Sequence, residues 1–354
     1  MRPDPYLSGG LTMKNYQIVF TSPAKAELLE VGTADPGRGK VLVKTAFSTV
    51  SSGTERANLI GDTNISPARG SGEGPARFPR KLGYSSSGIV EAVGEDVRSV
   101  RPGDRVVVSW GTHSRFQVMD ERNVHLLEPE NTLTEGALVM IGTFPLAAIR
   151  KARLEIGESA LVMGQGILGQ MAVKLLRTAG ACPVLAADPS PEKRERALTL
   201  GADAAFDPFA PDFEKQVRKA AGGGVRVAIE VTGNGKALDQ ALDCMARFGR
   251  VALLGCTRHS DFTIDYYRKV HGPGISLIGA HTNARPEWES SPGMWTTRDD
   301  IRALLRLSAG GRLDLGGMVE EVHSPTEAPE VYARLAEEKQ FPVVQFDWSR
   351  LEEA

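Results

Sequence analysis

Ala160-Leu161-Val162-Met163-Gly164-Gln165-Gly166-Ile167-Leu168-Gly169 sets an apolar strand directly before G-x-G-x-x-G and an apolar helix directly after it. Such a turn cradles a pyrophosphate. Gly164 permits the tight bend, Gly166 leaves no Cβ between backbone and phosphate, and Gly169 lets helix and strand pack closely. The backbone N–H groups of Ile167 and Leu168, at the helix start, would face the phosphates together with the positive end of the helix dipole.

Working outward, the helix 170–179 carries Met171, Val173, Leu175 and Leu176 on a broad apolar side and stops at Gly180. A second strand, Val184-Leu185-Ala186-Ala187, ends at Asp188, 19 residues past Gly169. There a carboxylate accepts hydrogen bonds from an adenosine ribose. This favours NAD, because the 2′-phosphate of NADP would meet the Asp188 charge unless Arg194 reorganises the pocket. Helices at 191–200, 211–221 and 236–247 alternate with strands at 204–206, 225–231, 250–255 and 275–279. That rhythm makes a doubly wound parallel sheet. Thr232 and Gly255, at strand ends, are placed at the cofactor as well.

Upstream, Tyr16–Phe20 and Lys40–Ala46 read as strands, and 82–127 as a barrel-like β segment with a turn at Arg101-Pro102-Gly103-Asp104. Residues 61–81 form a long Gly-, Pro- and Arg-rich loop. Its Arg69, Arg77, Arg80 and Lys81 are read as a solvated surface, with contact to an anionic substrate as the alternative. A helical pattern starts at Thr134. The tail carries helices at 298–309 and 326–338, a strand near 318–322 and a last strand at 341–346, which could return to the first domain.

The 354 residues, 41% hydrophobic and 24% charged, suit a two-domain globular enzyme. A net charge of −2 gives no basic field to hold nucleic acid or an anionic membrane, so small molecules or further subunits are the expected partners. No stretch is expected to cross a membrane, and the first twelve residues lack a secretory h-region, so a cytoplasmic location is expected. Cys182, Cys244 and Cys256 show no C-x-x-C or C-x-x-H spacing. The six histidines are scattered with no pair spaced to share a helix face, so no metal site is expected from local spacing.

The whole pattern resembles the medium-chain dehydrogenase/reductase superfamily, most closely its polyol and alcohol dehydrogenase branch. The resemblance is carried by Val50-Ser51-Ser52-Gly53-Thr54-Glu55, by Leu82-Gly83-Tyr84-Ser85-Ser86-Ser87-Gly88-Ile89-Val90, by Val93-Gly94 through Gly103-Asp104-Arg105-Val106, by the cradle, and by Leu200-Gly201-Ala202-Asp203. It implies an α/β chain with a GroES-like β-rich catalytic domain, 13–150 completed by 290–354. A Rossmann NAD-binding domain, 151–289, would lie beside it across a substrate cleft. The departures from the pattern carry as much information. Ser52 and Tyr84 stand where zinc-dependent members have a cysteine and a histidine, Ser85 replaces an acidic residue, and Glu55 replaces an aspartate. Only Ser109-Trp110-Gly111-Thr112 remains where a four-cysteine lobe would be inserted. Both zinc ions are therefore expected to be absent.

Without a metal, side chains must take the alcohol proton and stabilise the alkoxide. Thr54 is the relay candidate from the resemblance, Tyr84 a donor to a carbonyl oxygen, Glu55 a base or a group orienting hydroxyls, and His113 a further candidate. Packing, a helix-start carboxylate and a loop histidine are the respective alternatives. Residues 266–295 are dense in groups that suit polyhydroxylated ligands, among them His281, Asn283, Arg285 and Trp288, or else form a subunit interface. Strand 275–279, if an edge, would pair with its twin in a homodimer or homotetramer. The reading is a zinc-independent, NAD-dependent oxidoreductase that interconverts a secondary alcohol and a ketone on a sugar, cyclitol or polyol. The alternatives are an NADPH-dependent quinone or enoyl reductase, a catalytically inactive nucleotide-binding regulatory or structural protein, and a cofactor recycled within one catalytic cycle.

Overall fold

The computed structural model describes residues 13–65, 77–260, 262–338 and 340–351. The first twelve residues and Arg69 lie outside them. The chain opens with β1 (Met13–Ser22), β2 (Lys25–Thr33), β3 (Lys40–Thr49), α1 (Ser52–Leu59), β4 (Arg80–Lys81), β5 (Ser85–Val93), β6 (Arg105–Ser109), β7 (Phe116–Asp120), β8 (Val124–Leu126) and α2 (Leu133–Lys151). The alternating part is β9 (Ala160–Met163), α3 (Ile167–Thr178), β10 (Val184–Ala187), α4 (Pro191–Thr199), β11 (Ala204–Phe206), α5 (Phe213–Ala220), β12 (Val225–Glu230), α6 (Gly235–Cys244), β13 (Met245–Leu253) and β14 (Ser276–Gly279). The tail is α7 (Thr297–Ala309), β15 (Glu321–His323), α8 (Ala328–Glu337) and β16 (Val344–Asp347).

β9 to β14 form a six-stranded parallel sheet in the order β11-β10-β9-β12-β13-β14. Chain order reverses between β9 and β12, so a crevice opens at the carboxyl ends of these two strands, where such sheets bind ligands. The other main sheet runs β15-β16-β3-β5-β6-β8, with β7 paired to β3. Its β16 lies antiparallel on β3, Gln345 opposite Thr49 and Phe346 opposite Ser48. The last strand thus returns to the first domain. β1, β2 and β4 make a small third sheet.

α2 joins the two halves. Its start is fixed by a capping box in which Thr132 and Glu135 satisfy each other's backbone N–H groups. Fourteen consecutive residues, Gly136 to Ile149, are buried against both halves and α7. Against the sequence expectation, this helix is long and apolar enough to cross a membrane, yet its apolar surface is consumed inside the fold. Full burial of a side chain such as Leu138 or Ile141 is worth about 1.5–3 kcal/mol.

Two local expectations need correction. The helix expected at 236–247 stops at Cys244 because Met245 turns extended (ψ 145°) and pairs with Val225. β2 escaped the sequence reading because Lys25–Thr33 is charged and only partly buried, so its alternation is weak; pairing with β1 forms it.

Candidate active site

The cradle follows from backbone geometry. Gly164 has φ +94°, and a Cβ on Gly169 would stand 1.9 Å from the Gly164 carbonyl oxygen. A Cβ on Gly166 would meet nothing within 4 Å, so the space above it is open. Gly166 caps α3 without a side-chain hydrogen bond, leaving the first N–H groups of the helix directed at that space. The Ile167 side chain is buried in the core and Leu168 packs against it, so these residues offer backbone rather than side chains. These features fit a dinucleotide pyrophosphate.

Asp188 follows the end of β10, with its carboxylate accepting from Gln165 N at 2.7 Å and Ser190 N at 2.9 Å. It binds the glycine loop to the next strand and stands at the edge where an adenosine ribose would lie. Arg194 donates to the carbonyls of Asp188 (2.8 Å) and Pro189 (2.9 Å) and sits 3.7 Å from Asp207. Its guanidinium is committed to the protein. Thr232 and Gly233 follow β12, where both backbone N–H groups donate to the Glu230 carboxylate. Gly255 is required by close approach, since a Cβ there would stand 2.2 Å from Gly233 N. It shapes the crevice through the backbone.

On the opposite wall, Ser51 is the N-cap of α1, but its hydroxyl makes no capping bond. It meets the phenol of Tyr84 instead. Thr54, in the first turn of α1, lies close enough to Tyr84 to lower its pKa alongside Ser51. Burial raises the Tyr84 phenol far above its ordinary range, more than the bonds from Ser51 and Thr54 lower it, and Cys256 of the sheet domain lies within electrostatic reach. With burial outweighing those bonds, the Tyr84 hydroxyl stays protonated at neutral pH. Its ring packs at 5.8 Å from Trp110 and 5.6 Å from Phe144, centroid to centroid.

Glu55 and His113 occupy a different setting from the one expected. Both are buried, at 0% and 1% exposed. Glu55 accepts from Ser51 N (2.9 Å), from Tyr332 OH of α8 (2.5 Å) and from His113 Nε2 (3.2 Å). His113 Nδ1 lies 2.8 Å from Ser48 Oγ, which accepts from Trp348 Nε1 at 2.9 Å. Trp348, Ser48, His113 and Glu55 thus form one continuous chain of hydrogen bonds. A carboxylate enclosed in this way cannot touch substrate, and the roles expected of Glu55 as base and of His113 as a further catalytic group give way to holding Ser51 and α1 in place.

The residues expected to bind substrate separate. Asn283 and Trp288 line an open cleft of about 530 Å³ beside Trp110. Arg285 also borders it, but its guanidinium is nearly enclosed by Asp300 (3.4 Å), Thr297 and the Thr143 carbonyl (2.9 Å). It anchors the segment to α2 and α7 rather than offering itself to a ligand. His281 accepts from Asn283 N at 3.1 Å, and burial followed by Arg258 and Lys151 lowers its pKa. Of the basic loop residues, Arg80 is spent on the Asn58 carbonyl at 3.2 Å. A hollow of about 560 Å³ near Gly157 and Gly222 lies at the opposite end of the sheet, away from the strand carboxyl ends.

Ser51, Trp110, Phe144 and Tyr332 were missed by the sequence reading. The doubled Ser51-Ser52 before a helix start was a signal for Ser51; no local pattern singled out the other three.

The donor set around Tyr84 differs from the thiolates and imidazoles that commonly hold zinc. The groups around Tyr84 are hydroxyls, the adjacent carboxylate and imidazole are bound to one another, and no cluster of three or more His, Cys, Asp or Glu exists among the described residues.

Residues 37–166 match the family described as alcohol dehydrogenase GroES-like domain, and residues 168–294 match the zinc-binding dehydrogenase family. The chain is 27% identical over 350 residues to L-threonine 3-dehydrogenase of Pyrococcus horikoshii, covering 87% of this chain and 91% of that protein. It is 23% identical over 339 residues to D-guloside 3-dehydrogenase of Escherichia coli, covering 91% and 96%. The crystal structure of 2R,3R-butanediol dehydrogenase from Bacillus subtilis superposes with a TM-score of 0.78 at 23% identity, over 94% of this chain and 99% of that one. The chain belongs to the medium-chain dehydrogenase/reductase superfamily and is an oxidoreductase of the alcohol–ketone type.

Proposed function

We propose that the protein interconverts a secondary alcohol and a ketone on a sugar, cyclitol or other polyol, with NAD and without a catalytic metal. The observation that carries this reading is the buried Tyr84 hydroxyl, bonded to Ser51 with Thr54 beside it, in a chain that also carries the glycine cradle. A nicotinamide dinucleotide, when bound, supplies the hydride acceptor or donor. Tyr84 donates a hydrogen bond to the carbonyl oxygen in the reducing direction and thereby stabilises the developing alkoxide. In the oxidising direction the Tyr84 oxygen takes the alcohol proton as the phenol passes its own to the Ser51 or Thr54 hydroxyl, and one proton is released to bulk solvent for each NADH formed. Because burial raises its pKa, the phenol carries no standing charge at neutral pH, and it acts as donor and relay rather than as a resident base. Trp110 and Phe144 wall the site against water.

NAD is preferred over NADP because the Asp188 carboxylate stands at the ribose edge while Arg194 is committed to backbone carbonyls and Asp207. The exposed edge strand β14 supports a homodimer formed by strand pairing, and the lone cysteines suit a reducing, cytoplasmic setting.

The test is NADH formation from NAD across polyols, sugars, cyclitols and simple alcohols, repeated with NADP. NADH-forming turnover on polyhydroxylated substrates is expected. Turnover restricted to quinones or enones with NADPH would replace this reading with the reductase one, and tight NADH binding with no turnover of any class would favour a non-catalytic protein.

A further inference from the structure

Outward from Tyr84, Trp110 forms the near wall of the 530 Å³ cleft between the β6–β8 side of the catalytic domain and the segment 282–288 with the start of α7. The volume suits a molecule of sugar size or larger. Trp110 is 44% and Trp288 80% exposed, so both offer ring faces to the C–H side of a polyol chain. The polar lining is uneven in charge. Arg122 and Arg298 both border the cleft, with the amides of Asn123 and Asn283, and Glu287 is the opposing carboxylate.

The other charges nearby are already committed. Asp300 is held by Arg150 (2.9 Å) and Arg285 (3.4 Å). Asp299 accepts from Thr296 at 3.0 Å and from Ser290, with Arg302 3.7 Å away. Arg122 lies 3.6 Å from Asp120, a carboxylate that also takes Lys40 at 3.2 Å, and the Arg122 side chain remains 67% exposed. Arg298 makes no ion pair among the described residues. Its field and that of Arg302 reach the buried His125, which also borders the cleft and bonds Ser109 at 3.1 Å. Arg122, from the segment 121–126, and Arg298, from α7, therefore both line this cleft, and Trp110, which also lines it, is in ring contact with Tyr84.

We propose, resting on the dehydrogenase reading above, that this cleft takes a polyol or sugar with a terminal carboxylate or phosphate, held by Arg122 and Arg298 while its carbinol reaches Tyr84. Guanidinium groups suit both anions, since each offers a planar pair of oxygens or more to a forked donor. Asn123 and Asn283 supply donors for the hydroxyls between the anionic end and the carbinol. Binding at this end would also bring negative charge toward His125.

The experiment uses the full chain and a matched panel of four- to six-carbon alditols, the corresponding aldonates and the corresponding terminal phosphates. kcat/KM is measured for each with NAD, and affinity is measured by calorimetry on the enzyme saturated with NADH. The anionic members are expected to exceed their neutral partners about 10-fold or more. Arg122→Gln and Arg298→Gln are each expected to lower the anionic-to-neutral ratio about 10-fold. A preference for aldonates over phosphates, or the reverse, identifies the anion. Equal affinity for neutral and anionic members, or a ratio unchanged in both variants, would overturn the proposal. Charge-dependent binding that the variants abolish, with no cofactor reduction by any member, would instead remove the dehydrogenase reading and leave the anionic subsite standing.

Discussion

The cradle and the Tyr84 pocket are built in opposite ways. The cradle is made by a single run, 164–169, whose work is done by backbone N–H groups and missing Cβ atoms. The pocket is assembled from Ser51 and Thr54 on α1, Tyr84 before β5, and Trp110 after β6. It rests on a buried chain that draws Ser48, Glu55, His113, Tyr332 and Trp348 from both ends of the sequence. A site made of backbone tolerates change anywhere except at its glycines. A site made of side chains is only as well placed as the network behind it.

The sharpest way to break this contrast is at Glu55. Glu55→Ala leaves Tyr332, His113 and Ser51 N without their acceptor and is expected to cost about 3–5 kcal/mol of stability, read by urea unfolding. A cost under about 1 kcal/mol would show that the network does not support the pocket. Tyr84→Phe removes the donor itself and should lower kcat by about 10²–10³-fold while NADH affinity stays within about twofold, because the cofactor is held by the other wall. Equal losses in both would merge the two regions into one.

Gly169→Ala strikes the cradle. Its Cβ would be driven against the Gly164 carbonyl, so the helix start must shift, and NADH should bind about 10–100-fold more weakly with Tyr84 chemistry otherwise intact. The smallest effect concerns pH. Burial, then Arg298 and Arg302, push His125 down to about 4 from 6.5. Between these values the unfolded chain binds more protons, so stability present above about pH 6.5 is lost as the pH falls toward 4. Unfolding at about pH 7 and about pH 4.5 should differ by about 2–3 kcal/mol from this group, and His125→Gln should remove that part of the slope. An unchanged slope would separate His125 from the arginine field.

The same contrast explains what the sequence made legible. Gly164, Gly166, Gly169 and Asp188 are recognisable because their spacing is itself the geometry. Tyr84 and Thr54 were named because the resemblance marks their positions, Thr54 as the hydroxyl the pattern already has and Tyr84 as a departure from it, and the structure sets the two side by side. Glu55 and His113 were named for the right neighbourhood, but burial decides whether a carboxylate is a base or a brace, and no local pattern reports burial. Trp110 meets Tyr84 through the pairing of β5 with β6, where its backbone N–H donates to the Tyr84 carbonyl at 2.9 Å, and Phe144 meets it from α2. Arg285 reads as a ligand-binding arginine until Asp300, 15 residues on, is seen to enclose it.

Whether the alcohol–ketone site is run by hydroxyl groups rather than zinc is tested by dialysing the enzyme against a strong chelator. The rate of NADH formation on its best polyhydroxylated substrate is then measured before and after zinc is added back. The rate is expected to be unchanged by both treatments. Loss of activity on chelation with recovery on adding zinc would contradict it and would mean that Ser51, Ser52 and Tyr84 surround a metal site after all.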